Sequence, residues 1–234
     1  MLMLENLSVR QGDFHLTANV GFAAGQITAL IGPSGAGKST ILSVIAGFYQ
    51  AEGQVLWRGE PITDLRPDQR PVSSLFQDNN LFPHLTVSQN VGLALRASLR
   101  LTRDEQRRVD EMLASVGLSG MGGRKPAALS GGQQSRAALA RLLLQDRPVI
   151  LLDEPFAALG PGLKQEMLAL VRERALADNR VVLMVTHDPQ DALVAADQIA
   201  LVDEGQLFAP LPTREVMDNP PDVLQRYLGT STQK

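Results

Sequence analysis

Five short apolar clusters along the chain predict buried strands. In each cluster the apolar residues are almost uninterrupted, which is typical of strands that are covered on both faces of a parallel sheet. The clusters span residues 27–31, 72–76, 149–152, 181–185 and 199–202. The sequence therefore predicts an α/β fold with a mostly parallel sheet.

Two further segments alternate apolar residues with polar ones. Leu4, Leu7 and Val9 follow this pattern near the amino terminus, and residues 55–57 follow it further along the chain. Alternation is typical of strands with one buried face, which occur mainly in antiparallel sheets. We therefore expect a small antiparallel β layer beside the parallel sheet.

A helical pattern replaces the strand pattern between residues 90 and 123. Thr102 followed by Glu105 forms the capping box that opens many helices. The apolar residues that follow share one helical face, and Gly117 is a typical helix stop. That face carries Val109, Met112, Leu113 and Val116.

This helical stretch interrupts the series of buried strands, so we interpret it as an insertion and not as a separate domain. The predicted organisation is a single domain over residues 1–234 with an inserted α-helical subdomain over residues 78–135. Residues 229–234 are expected to form a frayed tail.

The composition excludes several classes of protein. Hydrophobic residues make up 44% of the chain and charged residues 20%, which is typical of globular domains and not of disordered or membrane-embedded chains. The absence of cysteine excludes disulfides and thiolate metal sites. A net charge of −3 argues against a dedicated nucleic-acid binder. No apolar run approaches the ~18 residues of a membrane span and no leader precedes the first strand, so we expect a cytosolic protein.

A phosphate-binding motif follows the first predicted buried strand. It reads Gly32-Pro33-Ser34-Gly35-Ala36-Gly37-Lys38-Ser39-Thr40 and precedes a helical pattern. The glycines allow backbone N–H groups to converge on phosphate oxygens at a helix amino terminus. Lys38 is predicted to reach the β and γ phosphates of ATP, and Ser39 to bind Mg²⁺.

Two adjacent carboxylates end the strand predicted at residues 149–152. In a parallel sheet this position places Asp153 and Glu154 at the carboxyl edge, beside the phosphate loop. We expect Asp153 to hold Mg²⁺ through water. Glu154 is predicted to accept a proton from the attacking water or to orient it. The pair therefore predicts ATP hydrolysis and not binding alone.

A second motif identifies a family that the chain resembles. Leu129-Ser130-Gly131-Gly132-Gln133 matches the signature of ATP-binding cassettes, and it lies upstream of the carboxylate strand. Gln77 and His187, each following a predicted strand, stand in the family's order, as does the run of residues 157–159. The resemblance covers nearly the whole chain and implies a RecA-like P-loop NTPase core.

The resemblance also implies how the site works. Two such domains pair head to tail as a homodimer, with each ATP between one phosphate loop and the Ser130–Gln133 signature of the other chain. Gln77 contacts Mg²⁺ and the attacking water and carries a signal to a membrane partner. His187 contacts the γ phosphate and holds Glu154.

Two positions depart from the family pattern. The family usually has an aromatic residue that stacks on adenine near Gln11, and Phe14 is the only ring nearby. The family usually has an aspartate at the position of Gly160, where the loop spans the dimer. This chain therefore lacks one carboxylate that relatives carry.

Cassettes also work in DNA repair, chromosome maintenance and translation, but those relatives carry a long coiled coil or two cassettes in one chain. The resemblance therefore implies an importer motor with separate transmembrane permease subunits, and with a periplasmic or surface substrate-binding protein acting through the permease. It implies a peripheral location on the cytoplasmic face of the bacterial inner membrane. Residues 78–87 are predicted either to receive a partner helix or to pack as a plain loop.

Residues 70–82 and 46–48 most resemble the motors of bacterial thiamine importers. The end of the chain soon after residue 208, without the extra β domain of many sugar-importer motors, also leads us to expect a compact importer subunit. Importers of iron(III), molybdate or polyamines are the alternatives, and a non-transport cassette is the less favoured one.

Overall fold

A computed structural model of the chain describes residues 1–76 and 80–228, with the backbone alone for residues 227 and 228. Within these residues eleven strands belong to one sheet. They are β1 Leu2–Gln11, β2 Phe14–Phe22, β3 Gln26–Ile31, β4 Glu52–Trp57, β5 Glu60–Pro61, β6 Val72–Leu75, β7 Val149–Asp153, β8 Val181–Val185, β9 Gln198–Asp203, β10 Gln206–Leu207 and β11 Leu211–Pro212.

Eight α-helices accompany the strands in the described part of the chain. They are α1 Lys38–Ala46, α2 Val87–Gly92, α3 Arg103–Ser115, α4 Gly131–Leu144, α5 Pro161–Ala177, α6 Pro189–Ala195, α7 Thr213–Asp218 and α8 Asp222–Leu228. Residues 229–234, for which a frayed tail was predicted, lie outside the described residues.

The five apolar clusters form the parallel centre of the sheet, as predicted. Strands β9, β3, β8, β7 and β6 lie side by side in that order, and each neighbouring pair is parallel. Every residue of β7 and of β8 is buried. The uninterrupted apolar runs arise because helices cover both faces of these strands.

The alternating segments form antiparallel strands, also as predicted. β1 pairs with β2 and β4, and β4 pairs with β5. These strands are continuous with the parallel centre, because the two residues of β10 pair with β2 on one side and with β9 on the other. No sequence pattern indicated this connection, since a two-residue strand is too short to show one.

Helices α2, α3 and α4 pack on one another, and α3 lies in the stretch where strand patterns disappear. The predicted capping box is present: Thr102 Oγ1 accepts from the Glu105 backbone N–H at 3.2 Å, and Glu105 accepts from the Thr102 backbone N–H at 2.8 Å. The predicted apolar face of α3 is buried. Gly117, the predicted stop, follows the helix with a φ of 67°.

The apolar core lies on two faces of the sheet. Ile27, Ala29 and Ile31 of β3 face the cluster that contains α2 to α6, and Leu30 faces the cluster that contains α1 and the amino-terminal strands. Strand β3 is thus anchored on both sides. Its carboxyl end, where the phosphate loop begins, is held in a fixed place.

Candidate functional site

The phosphate loop connects β3 to α1, as the sequence predicts. Lys38 is the first residue of α1, and its side chain turns back over the loop. Its Nζ donates to the carbonyl oxygens of Gly32 at 2.7 Å and Pro33 at 2.9 Å. Only 5% of the residue is exposed. The ammonium group is therefore already placed inside the loop where phosphates would bind.

Two glycines allow the loop to fit against its neighbours. A Cβ at Gly32 would lie 2.0 Å from the carbonyl oxygen of Val202 in β9. Gly37 has a φ of 104°, and a Cβ there would lie 2.9 Å from the Phe14 ring. Any side chain at either position would displace the loop, so the glycines are required by the packing as well as by the motif.

The first carboxylate, Asp153, ends β7 and is buried, with 6% of its surface exposed. Burial raises the pKa of Asp153, and a hydrogen bond from the Ser39 hydroxyl opposes that rise. Burial also lowers the pKa of Lys38, against the attraction of Glu154 and Asp153. These four side chains therefore share one partly desolvated electrostatic site.

The second carboxylate, Glu154, lies against His187. The Nε2 of His187 lies 2.5 Å from Oε1 of Glu154, because β7 and β8 are parallel neighbours and each residue follows its strand. Glu154 has a φ of 49°, and its backbone N–H donates to the Val185 carbonyl at 3.1 Å. The chain thus turns sharply after Asp153, and the two carboxylates of the shared site have different partners, Ser39 for Asp153 and His187 for Glu154.

The signature residues open α4. Ser130 is the N-cap: its hydroxyl accepts from the Gln133 backbone N–H at 3.3 Å, and Gln133 Oε1 accepts from the Ser130 N–H at 2.9 Å. Ser130 and Gly131 are exposed. Across residues 1–76 and 80–228, no hydrogen bond joins the signature to the phosphate loop. A single chain therefore presents Ser130 and Gly131 to solvent.

The structure brings together five of the predicted site residues: Lys38, Ser39, Asp153, Glu154 and His187. Gln77, predicted to contact Mg²⁺ and the attacking water, lies outside the described residues. Its role therefore stays a prediction.

Three residues beside His187 were not predicted from the sequence as site residues. Thr186, Asp188 and Asp191 surround it, and Lys164 of α5 reaches two of them. The spacing of Asp188 and Asp191 around the start of a helix was the available signal. It was not specific enough to indicate a contact with α5.

The two departures from the family pattern have clear places in the fold. Gln11 pairs with Phe14 at the end of the β1–β2 hairpin, and the Phe14 ring lies against the phosphate loop at Gly37. Gly160 is the N-cap of α5, with a φ of −68° and a ψ of 158°. A Cβ at Gly160 would meet nothing within 4 Å. A larger residue would therefore fit at this position without strain.

The chain matches one protein family and several named relatives. The family described as ABC transporter matches residues 17–157. Thiamine import ATP-binding protein ThiQ of Ruegeria sp. (strain TM1040) is 57% identical over 98% of this chain and 100% of the relative. The protein of the same name from Photobacterium profundum is 48% identical over 88% of this chain and 86% of the relative.

Solved structures with the same fold are ATP-binding cassettes. A dimeric post-hydrolysis state of the cassette MJ0796, bound to ADP and Pi, is 30% identical and superposes with a TM-score of 0.81 over 92% of this chain and 99% of that one. A nucleotide-free cassette from an ABC transporter is 26% identical and has a TM-score of 0.84 over 97% of this chain and 98% of that one. The likeness therefore extends over nearly the whole fold.

Proposed function

Because the chain belongs to the ABC transporter family, we propose that it is the ATP-hydrolysing subunit of a bacterial thiamine importer. The relatives named above support the substrate. The 2.5 Å contact between Glu154 and His187, beside Lys38 and Asp153, is the observation that carries the hydrolytic part of the proposal. Importers of iron(III), molybdate or polyamines are the remaining candidates.

The phosphates of ATP bind to the loop of residues 32–40. Backbone N–H groups at the start of α1 and the positive end of that helix favour the phosphate charge. Lys38 exchanges its two carbonyl contacts for β and γ oxygens. The exchange needs little rearrangement, because the ammonium group already lies inside the loop.

Ser39 and Asp153 fit a magnesium ion. Their side chains are hydrogen-bonded to each other, and Mg²⁺ prefers hydroxyl, carboxylate and phosphate oxygens. The buried Asp153 carboxylate, whose pKa is raised by burial, gains from a nearby cation. When bound there, Mg²⁺ neutralises charge on the β and γ phosphates. Gln77 is proposed as a third ligand.

Glu154 acts on the water that attacks the γ phosphate. Its carboxylate either accepts the proton of that water or orients it. His187 holds the carboxylate by the contact at Oε1. In this proposal Oε2 is the atom that meets the water.

A second copy of the chain completes each site. Ser130, Gly131, Gly132 and Gln133 open a helix whose amino end is exposed, and such an end attracts anions. The cassette MJ0796, which has the same fold, is a dimer. A head-to-tail homodimer places each signature against the γ phosphate of the facing chain.

Transport requires membrane partners. Among the described residues, no helix combines the length and the apolar character of a membrane span. We propose that the chain is peripheral on the cytoplasmic face of the inner membrane, bound to permease subunits that receive thiamine from a periplasmic or surface binding protein.

A groove of about 900 Å³ is the proposed permease site. Phe48, 62% exposed, lies at this groove with Leu93 and Ala94, and Asp68, Asp146 and Arg147 give it a polar edge of mixed charge. A short helix with an apolar face fits these features. The proposed helical subdomain, residues 78–135, forms one side of the groove.

Residues 80–82 are held in place by two helices of this subdomain. Asn90, fully buried, accepts from the Phe82 backbone N–H at 2.7 Å and donates to the Phe82 carbonyl at 3.1 Å. Arg141 of α4 donates to the Asn80 carbonyl at 2.8 Å. A permease helix that moves this segment would therefore also act on the signature helix.

The test is ATP hydrolysis by the reconstituted complex of this chain with its permease subunits. We expect thiamine-loaded binding protein to stimulate hydrolysis several-fold and the unloaded protein to stimulate it less, because a partner that favours the closed dimer raises turnover. Stimulation by an iron- or polyamine-binding protein instead would overturn the substrate. No hydrolysis by the complete complex would overturn the enzymatic proposal.

A further inference from the structure

Lys164 stands in an unusual place for a cation. It lies in the first turn of α5, where the helix dipole disfavours positive charge. Its side chain is only 20% exposed. A cation in such a position needs compensating partners, and the structure supplies two. Nζ lies 3.0 Å from Asp188 Oδ2 and 2.6 Å from Asp191 Oδ1.

The two aspartates hold the residues on both sides of His187. Asp188 caps α6 by accepting from the Gln190 backbone N–H at 3.0 Å. Thr186 donates to Asp191 Oδ2 at 2.6 Å, and it accepts from the Asp188 backbone N–H at 3.1 Å. His187 thus lies in a short loop whose neighbours, before and after, all connect to Lys164.

This network lies beside the reacting groups. Lys164 and Asp191 line the same cavity, about 250 Å³ in volume, as Glu154 and His187. The Asp191 side chain is 12% exposed, whereas that of His187 is 41% exposed. The Lys164–Asp191 contact is therefore the more buried part of the network, whereas Asp188, 49% exposed, and His187 lie nearer to solvent.

We propose that Lys164 is a positioning residue for ATP hydrolysis, which fixes the His187 loop through Asp188 and Asp191 and thereby keeps His187 against Glu154. The inference rests on the proposed ATPase function. In this proposal Lys164 acts through the two aspartates and not by contact with the nucleotide. It also joins the His187 loop to the start of α5, and hence to the loop that follows Glu154.

The charges are consistent with a persistent contact. Burial by itself lowers the pKa of Lys164, but hydrogen bonds to Asp191 and Asp188 outweigh it, so the pKa is raised overall. The hydrogen bond from Lys164 lowers the pKa of Asp188, with a contribution from the Gln190 backbone. Both partners of the Lys164–Asp188 pair are therefore charged at neutral pH.

The experiment compares Lys164→Met and Lys164→Arg in the assembled transporter complex. We expect Lys164→Met to lower kcat about tenfold with the KM for ATP within twofold of the wild type, because the nucleotide contacts remain and only the alignment is lost. Arginine reaches both aspartates and is expected to restore kcat to within threefold. Unchanged kcat in Lys164→Met, or no rescue by arginine, would overturn the proposal.

Arg172→Met is the matched control. Arg172 lies on the same helix and pairs with Asp197 at 2.7 Å, a contact of the same kind away from the cavity. We expect this variant to lose stability comparably and to keep the wild-type kcat. An equal loss of kcat in Arg172→Met would mean that Lys164 contributes only to stability.

A second measurement does not depend on activity. In the isolated chain, Lys164→Met should raise amide hydrogen exchange in residues 186–191 at least tenfold and leave α1 unchanged. If the wild-type complex were inactive but exchange rose in this way, the proposed function would fail while the structural coupling stood. Unchanged exchange at residues 186–191 would overturn the coupling itself.

Discussion

Leu159 occupies the space that a side chain at Gly132 would need. Its Cδ2 atom lies 2.9 Å from the position of a Cβ at Gly132, and the Ala158 carbonyl oxygen lies 3.4 Å from it. The amino end of the signature helix therefore rests on the loop between Glu154 and α5 within one chain. A displacement of either element is transmitted to the other.

This contact predicts different effects of alanine at two adjacent glycines. The free energy of unfolding of Gly132→Ala should be about 1 kcal/mol lower than that of Gly131→Ala, because the methyl group added at Gly132 must displace Leu159. A Cβ at Gly131 meets nothing within 4 Å. Urea denaturation of both variants measures the difference. The difference should disappear when Leu159 is also replaced by alanine. Equal free energies of unfolding of the two variants in the presence of Leu159 would contradict the contact between Leu159 and Gly132.

Replacement of Gly160 by aspartate should restore the family's carboxylate without strain. The backbone at Gly160 is extended, with no neighbour within 4 Å of a Cβ. We expect Gly160→Asp to lower the ATP concentration needed for dimerisation several-fold and to raise the Hill coefficient of hydrolysis. Because aspartate caps α5 and replaces a flexible glycine, the free energy of unfolding of the single chain should rise by at most about 1 kcal/mol.

Gly160→Asn separates these two effects. Asparagine caps a helix about as well as aspartate but carries no charge. It should therefore match the stability gain and leave dimerisation unchanged. If the two variants have the same ATP dependence in light scattering, the carboxylate has no role across the dimer.

Asp153→Asn should stabilise the protein without nucleotide while weakening magnesium-dependent ATP binding. Because burial raises the pKa of Asp153, the folded state holds its proton to higher pH than the unfolded state. The contribution of Asp153 to the free energy of unfolding is therefore greatest below its pKa in the unfolded state. It declines as the pH rises through its pKa in the folded state. The variant lacks this decline.

Urea denaturation of Asp153→Asn and wild type at pH 4 and pH 7 tests this sign. The variant should gain stability relative to wild type as the pH rises. If the gain in the free energy of unfolding is the same at both pH values, Lys38 and Ser39 already compensate the cost of burying the charged Asp153 carboxylate.

Lys38→Ala and Glu154→Gln should separate binding from hydrolysis. Loss of the ammonium group removes charge-assisted contacts worth ~1.5–3 kcal/mol, so ATP should bind at least about tenfold more weakly. Glu154→Gln keeps the binding loop intact and should accumulate an ATP-bound dimer. Size-exclusion chromatography with ATP compares the dimerisation of the two variants. A Glu154→Gln chain that stays monomeric with ATP would contradict the role of Glu154.

Phe48→Ser should weaken the contact with the permease and leave the basal ATPase activity of the isolated chain unchanged. The Phe48 ring meets Phe76 edge-on at 5.6 Å and is otherwise largely exposed at the groove. Co-purification with the permease measures the effect. Phe208→Ser, at a residue that is 40% exposed and does not line this groove, is the control. Equal retention of the permease by both variants would place the docking surface elsewhere.

The sequence by itself determined the features that depend on short-range regularities. Uninterrupted apolar runs predicted the five parallel strands, because burial on both faces leaves no polar positions. The Thr102–Glu105 cap follows from hydrogen bonds over three residues. The phosphate loop is equally local, since its glycines and Lys38 act within nine consecutive positions.

Only the tertiary structure decided which distant residues meet. The contact between Lys164 and Asp191 joins side chains that no periodicity relates, and the contact between Glu154 and His187 was indicated by the family resemblance and not by any periodicity. They depend on β7 and β8 lying side by side and on α5 packing against α6. The backbone angle at Gly160, which allows a side chain there, is likewise set by how α5 begins. Such relationships arise from the packing of the whole sheet and its helices, and a linear pattern carries no record of them.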